Sequence, residues 1–290
     1  MTTLVLGSTG QLATHLRELW PDAVFWSRTE ADLAEPRTLR GKVESARPAA
    51  IVIAAAHTAV DKAESEPELA WRINAEAPAE IARAAATLDV PLVHVSTDYV
   101  FDGCKATPYV EDDPVGPLNV YGRSKLGGEL AVQSIATRYW ILRTSWVFSE
   151  HGQNFVKTML RLGRDRDTLS VVADQLGRPT YAGDLARVIA ELLRPTPAAV
   201  PFGLLHVGGG PATTWHGFAV AIFEGARAAG MLPGVPVVHA IPTSQYPTPA
   251  RRPLSSVLEP SAALQQALST HPDWRDGLNS VLRALAVQTA

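Results

Sequence analysis

Thr3-Leu4-Val5-Leu6-Gly7-Ser8-Thr9-Gly10-Gln11-Leu12-Ala13 is the stretch that decides the fold. Leu4–Leu6 reads as a short buried strand and Leu12–Trp20 as a helix, so both glycines fall in the turn between them. Glycine lets the backbone turn sharply and approach a pyrophosphate, while the free N–H groups and dipole of the helix start favour an anion. The spacing is G-x-x-G-x-x-A rather than G-x-G-x-x-G. Ala13 in the third place is still small enough for close helix packing. A plain strand-to-helix turn would also account for two glycines, but a position directly after the first strand favours the phosphate loop.

Outward from this turn, strand-like and helix-like segments alternate. Ala23–Trp26 is a second short strand, and Ala50–Ala55, an apolar run without alternation, is one covered on both faces. Pro67–Leu88 is Ala- and Glu-rich and predicts a helix; Pro91–Val95 is another buried strand, Leu118–Ile135 a helix, and Tyr139–Val147 a strand. This order predicts an α/β fold, a doubly wound, Rossmann-like parallel sheet with a smaller C-terminal substrate-binding lobe. After Trp146 the pattern thins, and Ala199–Gly210 and Pro233–Arg252 are rich in Pro and Gly. Helices are expected over Asn154–Leu162, Ala182–Leu193, Thr214–Gly230 and from Trp274, and Leu204–Val207 is expected to return to the sheet. The expected division is a dinucleotide-binding core over 1–148, with 170–210 partly returning to it. Residues 149–169 and 211–290 then form the lobe over the carboxyl ends of the strands.

Composition bounds the function. The chain has 290 residues, 46% hydrophobic, with net charge −3 and a pI near 6.2, so no basic surplus exists for a nucleic-acid partner. Cys104 stands alone, leaving no intrachain disulfide, and the eight histidines are scattered without a pair at ligand spacing. No basic segment leads into the first apolar run and no stretch reaches membrane-spanning length, so a cytoplasmic protein without a membrane partner is expected.

Two further segments carry chemistry. Trp26-Ser27-Arg28-Thr29 follows the second strand. An acidic residue there would grip the ribose of NAD, whereas an arginine and hydroxyls suit a 2′-phosphate, so NADPH is expected, with NADH possible. A solvated surface arginine is the alternative. In Tyr121-Gly122-Arg123-Ser124-Lys125 the phenol and ammonium are four apart on one helix face. A phenol of pKa about 10 is a poor acid or base at neutral pH, and a nearby ammonium is expected to lower that value. The tyrosine could then protonate a carbonyl oxygen as hydride reaches its carbon, and the lysine could also hold a nicotinamide ribose. Tyr-x-x-x-Lys is common by chance. Here it is preceded by Val93-His94-Val95-Ser96-Thr97-Asp98, a buried strand ending in hydroxyls, where Thr97 could orient the same carbonyl.

With these motifs the chain resembles the extended branch of the short-chain dehydrogenase/reductase superfamily, and more closely the dTDP-4-dehydrorhamnose reductase family. Segments Ala54–Glu64, Ser96–Phe101, Asn119–Gly122, Arg143–Val147 and Tyr246–Pro253 carry the closer resemblance over nearly the whole chain. It implies Thr97, Tyr121 and Lys125 as catalytic residues. Cofactor contacts are implied at Gly7, Gly10, Gln11, Leu12, Asp32, Leu33, Ala54, Ala55, Ala56, His57 and Thr58, beside Arg28 read above. Contacts to a small-molecule nucleotide sugar are implied at Thr97, Asp98 and Trp146, and the guanidinium forks of Arg251 and Arg252 suit its diphosphate. His57 reads as a cofactor-loop residue rather than a base, since Tyr121 fills the acid role. Some members carry, at the position of His15, a glutamate thought to join a metal-bridged dimer. Histidine there leads to an expectation of no required metal, with a homodimer possible. The implied reaction is reduction of dTDP-4-dehydro-L-rhamnose at C4 by NADPH. Two alternatives stay open: a reductase of another nucleotide-linked 4-keto-6-deoxysugar, and a non-catalytic subunit resembling the methionine adenosyltransferase β-subunit.

Overall fold

The structure is a computed structural model that describes residues 2–194, 200–267 and 272–289. Residues 195–199, within the segment 170–210, therefore lie outside it. In chain order the strands are β1 (Thr3–Leu6), β2 (Val24–Trp26), β3 (Ala50–Ile53), β4 (Leu92–Thr97), β5 (Tyr139–Thr144), β6 (Val147–Phe148), β7 (Thr168–Val172), β8 (Leu176–Gly177), β9 (Thr180–Tyr181), β10 (Gly203–His206), β11 (Thr213–Thr214) and β12 (Val237–Ile241). The helices are α1 (Gln11–Leu19), α2 (Leu39–Ala46), α3 (Val60–Ser65), α4 (Pro67–Trp71), α5 (Ala77–Leu88), α6 (Val120–Ile135), α7 (Phe155–Asp165), α8 (Ala182–Leu192), α9 (Trp215–Ala228), α10 (Ala262–Ala267) and α11 (Trp274–Thr289).

Six strands form one parallel sheet in the order β10-β5-β4-β3-β1-β2. The chain moves one way from β1 to β2 and the other way from β1 to β3, which makes a crevice at the carboxyl ends of β1 and β3. Their register pairs Leu6 with Ile53, and further along β4 pairs Thr97 with the Thr144 of β5. Alternation sorts the strand side chains: Leu4 and Leu6 pack with Ile81 and Val132 of α5 and α6, whereas Val5 packs with Leu16 and Leu185 of α1 and α8 on the opposite face. Both faces are covered, which is why the strands read as continuous apolar runs.

A third apolar cluster lies beyond the sheet. It joins Val156 and Leu160 of α7, Phe218 and Phe223 of α9, and Leu278 and Leu282 of α11. Three small pairings accompany it: β12 parallel to β7, β11 antiparallel to β8, and β6 parallel to β9.

Two segments differ from the sequence reading. Pro67–Leu88, expected as one helix, contains a π-helical turn over Arg72–Glu76, in which the Ala77 N–H bonds five residues back to the Arg72 carbonyl. Pro78 has no N–H to continue the regular ladder, and the extra residue takes up the mismatch. Tyr139–Val147, expected as one strand, breaks at Ser145-Trp146, where Trp146 takes a left-handed backbone with φ 48°.

Candidate active site

A cavity of about 1230 Å³ opens at the carboxyl ends of the parallel strands. Its floor is the first turn: Gly7 lies at φ +118° and a Cβ there would come within 3.2 Å of Ala55, so a side chain would be both strained and crowded. Gly10 caps α1 in extended conformation with no side-chain cap, leaving the first N–H groups of the helix aimed at open space. Gln11, Leu12, Ala54, Ala55, Ala56 and Thr58 line the same wall. At the far end stand Arg28, Asp32 and Leu33. Arg28 is largely exposed and pairs with Asp32 at 3.0 Å, and that partner helps hold the Asp32 carboxyl below its ordinary range against the opposing effect of burial.

The chemical groups converge at the other end. Tyr121 and Lys125 project from α6 and Thr97 and Asp98 from the end of β4, and all four line the cavity. Asn119 starts α6 by accepting from the Gly122 N–H at 2.8 Å, and its amide donates to the Arg251 carbonyl at 2.8 Å. The helix is drawn tight onto its neighbours because Gly128 has no Cβ; one there would collide with the Asn74 carbonyl oxygen. Lys125 is buried and donates to the Val95 carbonyl at 2.7 Å. Burial brings its pKa down to about 8, with the Glu129 carboxylate acting the other way. The expectation that this ammonium lowers the Tyr121 pKa is corrected here. Burial pushes the phenol up to about 12, contact with the Thr97 hydroxyl opposes this, and the Lys125 ammonium gives one of its hydrogens to the Val95 carbonyl. Tyr121 is therefore a protonated phenol at neutral pH. The Thr97 hydroxyl donates to Asp98 at 2.9 Å, and burial raises the Asp98 carboxyl to about 6 against hydrogen bonds from Ser256 and Thr97.

Trp146 lines the cavity with its indole stacked on Trp215 at 3.6 Å and 11°. Gly177 lies against the back of the Trp146 ring, where a Cβ would clash with it. The left-handed backbone of a bulky residue is a local strain, and such strain collects at functional sites.

Some expected residues lie elsewhere. His57 keeps its side chain out of the cavity lining, with Nε2 3.7 Å from a Glu66 oxygen. Its backbone N–H and carbonyl are both held by Asn74, at 2.8 and 3.1 Å, and the same amide donates to Ser124 at 2.9 Å. Arg251 and Arg252 line a separate cavity of about 420 Å³, and Arg252 is paired with Asp61 at 2.7 Å. Sequence reasoning missed Asn74 and Trp215. Asn74 gives itself away only as a polar residue on the buried face of a helix just before Pro78. Trp215 had no local signal.

A glycine turn at the first strand, a switch-point crevice and a buried Tyr-x-x-x-Lys beside a strand-end hydroxyl define an oxidoreductase of the extended short-chain dehydrogenase type. Residues 1–287 match the family model described as the RmlD substrate binding domain. The chain is 44% identical to a dTDP-4-dehydrorhamnose reductase of Shigella flexneri, over all of both chains. Among solved structures it is similar to the dTDP-4-dehydrorhamnose reductase of Clostridium acetobutylicum, with TM-score 0.89, 34% identity, and 98% and 99% of the two chains covered. It is also similar to that of Bacillus anthracis in complex with NADP, with TM-score 0.88, 34% identity, and 98% and 100% covered. The chain belongs to the dTDP-4-dehydrorhamnose reductase family.

Proposed function

We propose that this chain reduces the C4 keto group of dTDP-4-dehydro-L-rhamnose to the alcohol of dTDP-L-rhamnose, with NADPH as reductant. The observation that supports it most is that one cavity is lined by an uncapped, glycine-turned helix start at one end and by Thr97, Tyr121 and Lys125 at the other. The free N–H groups at Gly10–Leu12 fit a pyrophosphate. Arg28, with the Ser27 and Thr29 hydroxyls beside it, fits a 2′-phosphate, although Glu30 already accepts from the Ser27 N–H at 2.8 Å. NADH therefore stays possible as a poorer reductant. The solved relative in complex with NADP supports the same choice.

When bound, the nicotinamide supplies hydride to C4. Thr97 holds the carbonyl oxygen, and Tyr121 gives that oxygen its proton as negative charge builds there. Its raised pKa keeps the proton in place until the oxygen becomes basic. Lys125 fixes the ribose and supports the phenolate left behind. Asp98 and the Trp146 indole meet the sugar. The lobe formed by 149–169 and 211–290 closes over the sugar nucleotide, with 1–148 and part of 170–210 as the dinucleotide-binding core. The cluster of α7, α9 and α11 side chains, separate from the two sheet-face clusters, supports that division. Cytoplasmic location and a possible homodimer complete the reading. Among the described residues no helix is long and apolar enough to cross a membrane.

The test is oxidation of NADPH in the presence of enzymatically made dTDP-4-dehydro-L-rhamnose, with the product identified. Turnover to dTDP-L-rhamnose is expected. A folded sample that binds NADPH yet oxidises none with this substrate would overturn the reading, in favour of another keto-sugar nucleotide or a binding role.

A further inference from the structure

His15 lies on the buried side of α1, only 5% exposed, and faces Glu150 and His151 from the loop after β6. His15 Nε2 is 3.5 Å from one Glu150 oxygen and His151 Nε2 is 3.8 Å from the other. The two imidazoles are 5.0 Å apart, and one donor atom from each of the three residues lies within 4.8 Å of the others. These separations are too long for hydrogen bonds. His15 Nε2, Glu150 Oε2 and His151 Nε2 are all buried, and none has a hydrogen-bond partner among the described residues. Three buried lone-pair atoms turned toward one point without partners are costly unless something sits between them.

We propose that this chain binds one zinc(II) ion at that point, through His15 Nε2, His151 Nε2 and the Glu150 carboxylate. Zinc–nitrogen and zinc–oxygen bonds of about 2.0–2.2 Å at tetrahedral angles put neighbouring donors roughly 3.4 Å apart. The 3.5 and 3.8 Å separations, one to each Glu150 oxygen, sit near that value, and a contraction of the 4.8 Å cluster completes the set. Two imidazoles and one carboxylate favour a borderline cation over magnesium or calcium, which take all-oxygen sets. Glu18 stands 3.4 Å from the other ring nitrogen of His15, where a carboxylate fixes the tautomer of a metal-bound histidine. Glu18 Oε1 also lies 3.5 Å from His151 Nε2. The Tyr181 hydroxyl donates to Glu150 at 3.4 Å. The donors come from positions 15 and 150–151 of one chain, so no ligand spacing shows in the sequence and no partner subunit is needed.

The ion's role is to fasten. α1 begins at the glycine turn, and the same loop that carries His151 brings Gly152 and Gln153 to the cavity wall. Gln11 already joins these parts, accepting from the Asn154 amide at 2.9 Å. Zinc would be a second, stronger tie between the same two elements.

The test uses the full chain, stripped with a chelator and titrated with zinc alone. One zinc per chain is expected by calorimetry, with a higher melting temperature. Cobalt(II) in its place should give the visible d–d bands of a tetrahedral site. Glu18→Gln should weaken zinc by about 10- to 100-fold, and His151→Gln, at a half-buried position expected to tolerate it, by more. His15→Gln should behave like His151→Gln wherever it folds. Absence of saturable zinc binding to the parent chain would overturn the proposal. So would an unchanged zinc affinity and cobalt spectrum in folded His151→Gln.

Discussion

Tyr121 shows how burial and proton chemistry meet at one residue. A phenol raised to about 12 is useless as a base but well suited to hand a proton to a carbonyl oxygen that turns into an alkoxide. Tyr121→Phe keeps the ring and removes the proton, so kcat should drop by about 10²–10⁴-fold while the NADPH Kd stays within a factor of about two. A variant with full turnover would refute the assignment. Arg28→Ala should lower kcat/KM for NADPH by roughly tenfold and leave NADH nearly unchanged, because the exposed guanidinium, paired with Asp32, is the group proposed to meet a 2′-phosphate. Equal losses for the two cofactors would contradict this. Asp98 carries a measurable cost. Its folded pKa of about 6 lies above the ordinary 3.8, so the folded state holds the proton more tightly and stability falls as pH rises through that window. A shift of this size corresponds to about 3 kcal/mol, and Asp98→Asn should recover much of it at pH 7 but little at pH 4. Parallel denaturation midpoints for both proteins at the two pH values would rule this out. The spacing of Tyr121 and Lys125 was legible because both sit on one helix. The Val95 carbonyl that occupies Lys125 was not, because it comes from another strand.

At the scale of elements, the inner parallel strands β1, β3, β4 and β5 were legible because they are buried on both faces and bounded by helices. The boundaries that failed are where tertiary demands override local pattern. The helical run over 67–88 keeps its composition throughout, but its ladder shifts by one residue at the Arg72–Glu76 turn. That shift accompanies the inward placement of Asn74, 1% exposed, beside the 54–58 loop. One amide there satisfies the His57 N–H, the His57 carbonyl and the Ser124 hydroxyl. Asn74→Ala would leave the two backbone groups of His57 without those partners, a cost of about 2–3 kcal/mol. The urea midpoint should fall accordingly at unchanged m-value, and NADPH should bind more weakly because Ala54–Thr58 loses its anchor. A variant as stable as the parent would show that the loop holds itself. The break at Trp146 follows the same logic: a left-handed residue turns the chain out of the sheet and aims an indole at the cavity.

Across the whole molecule, the second half resisted reading because its pairings are short and distant. β8, β9 and β11 have two residues each, and β12 finds its partner β7 far back in the chain, so no window of sequence contains the pattern. The division proposed above would separate two binding events. The glycine turn, Arg28 and the 54–58 loop belong to the parallel sheet and its connections, whereas Trp215 starts α9 in the lobe and reaches the cavity by stacking on Trp146. Cofactor binding should then be felt without the lobe's aromatic pair. NADPH at about 100 times its Kd adds about 2.7 kcal/mol to stability, which for a chain of this size raises Tm by roughly 4–5 °C. Trp215→Ala should leave that ligand-induced increment intact, even if the starting Tm is lower because the indole also packs on Phe155. Its loss should appear in the sugar nucleotide instead, as a KM raised by roughly tenfold or more with the Trp146 ring no longer held. If the NADPH-induced increment vanished together with sugar affinity, the two halves of the cavity would be one cooperative unit, and the assignment of Trp146 and Trp215 to the sugar end would fail.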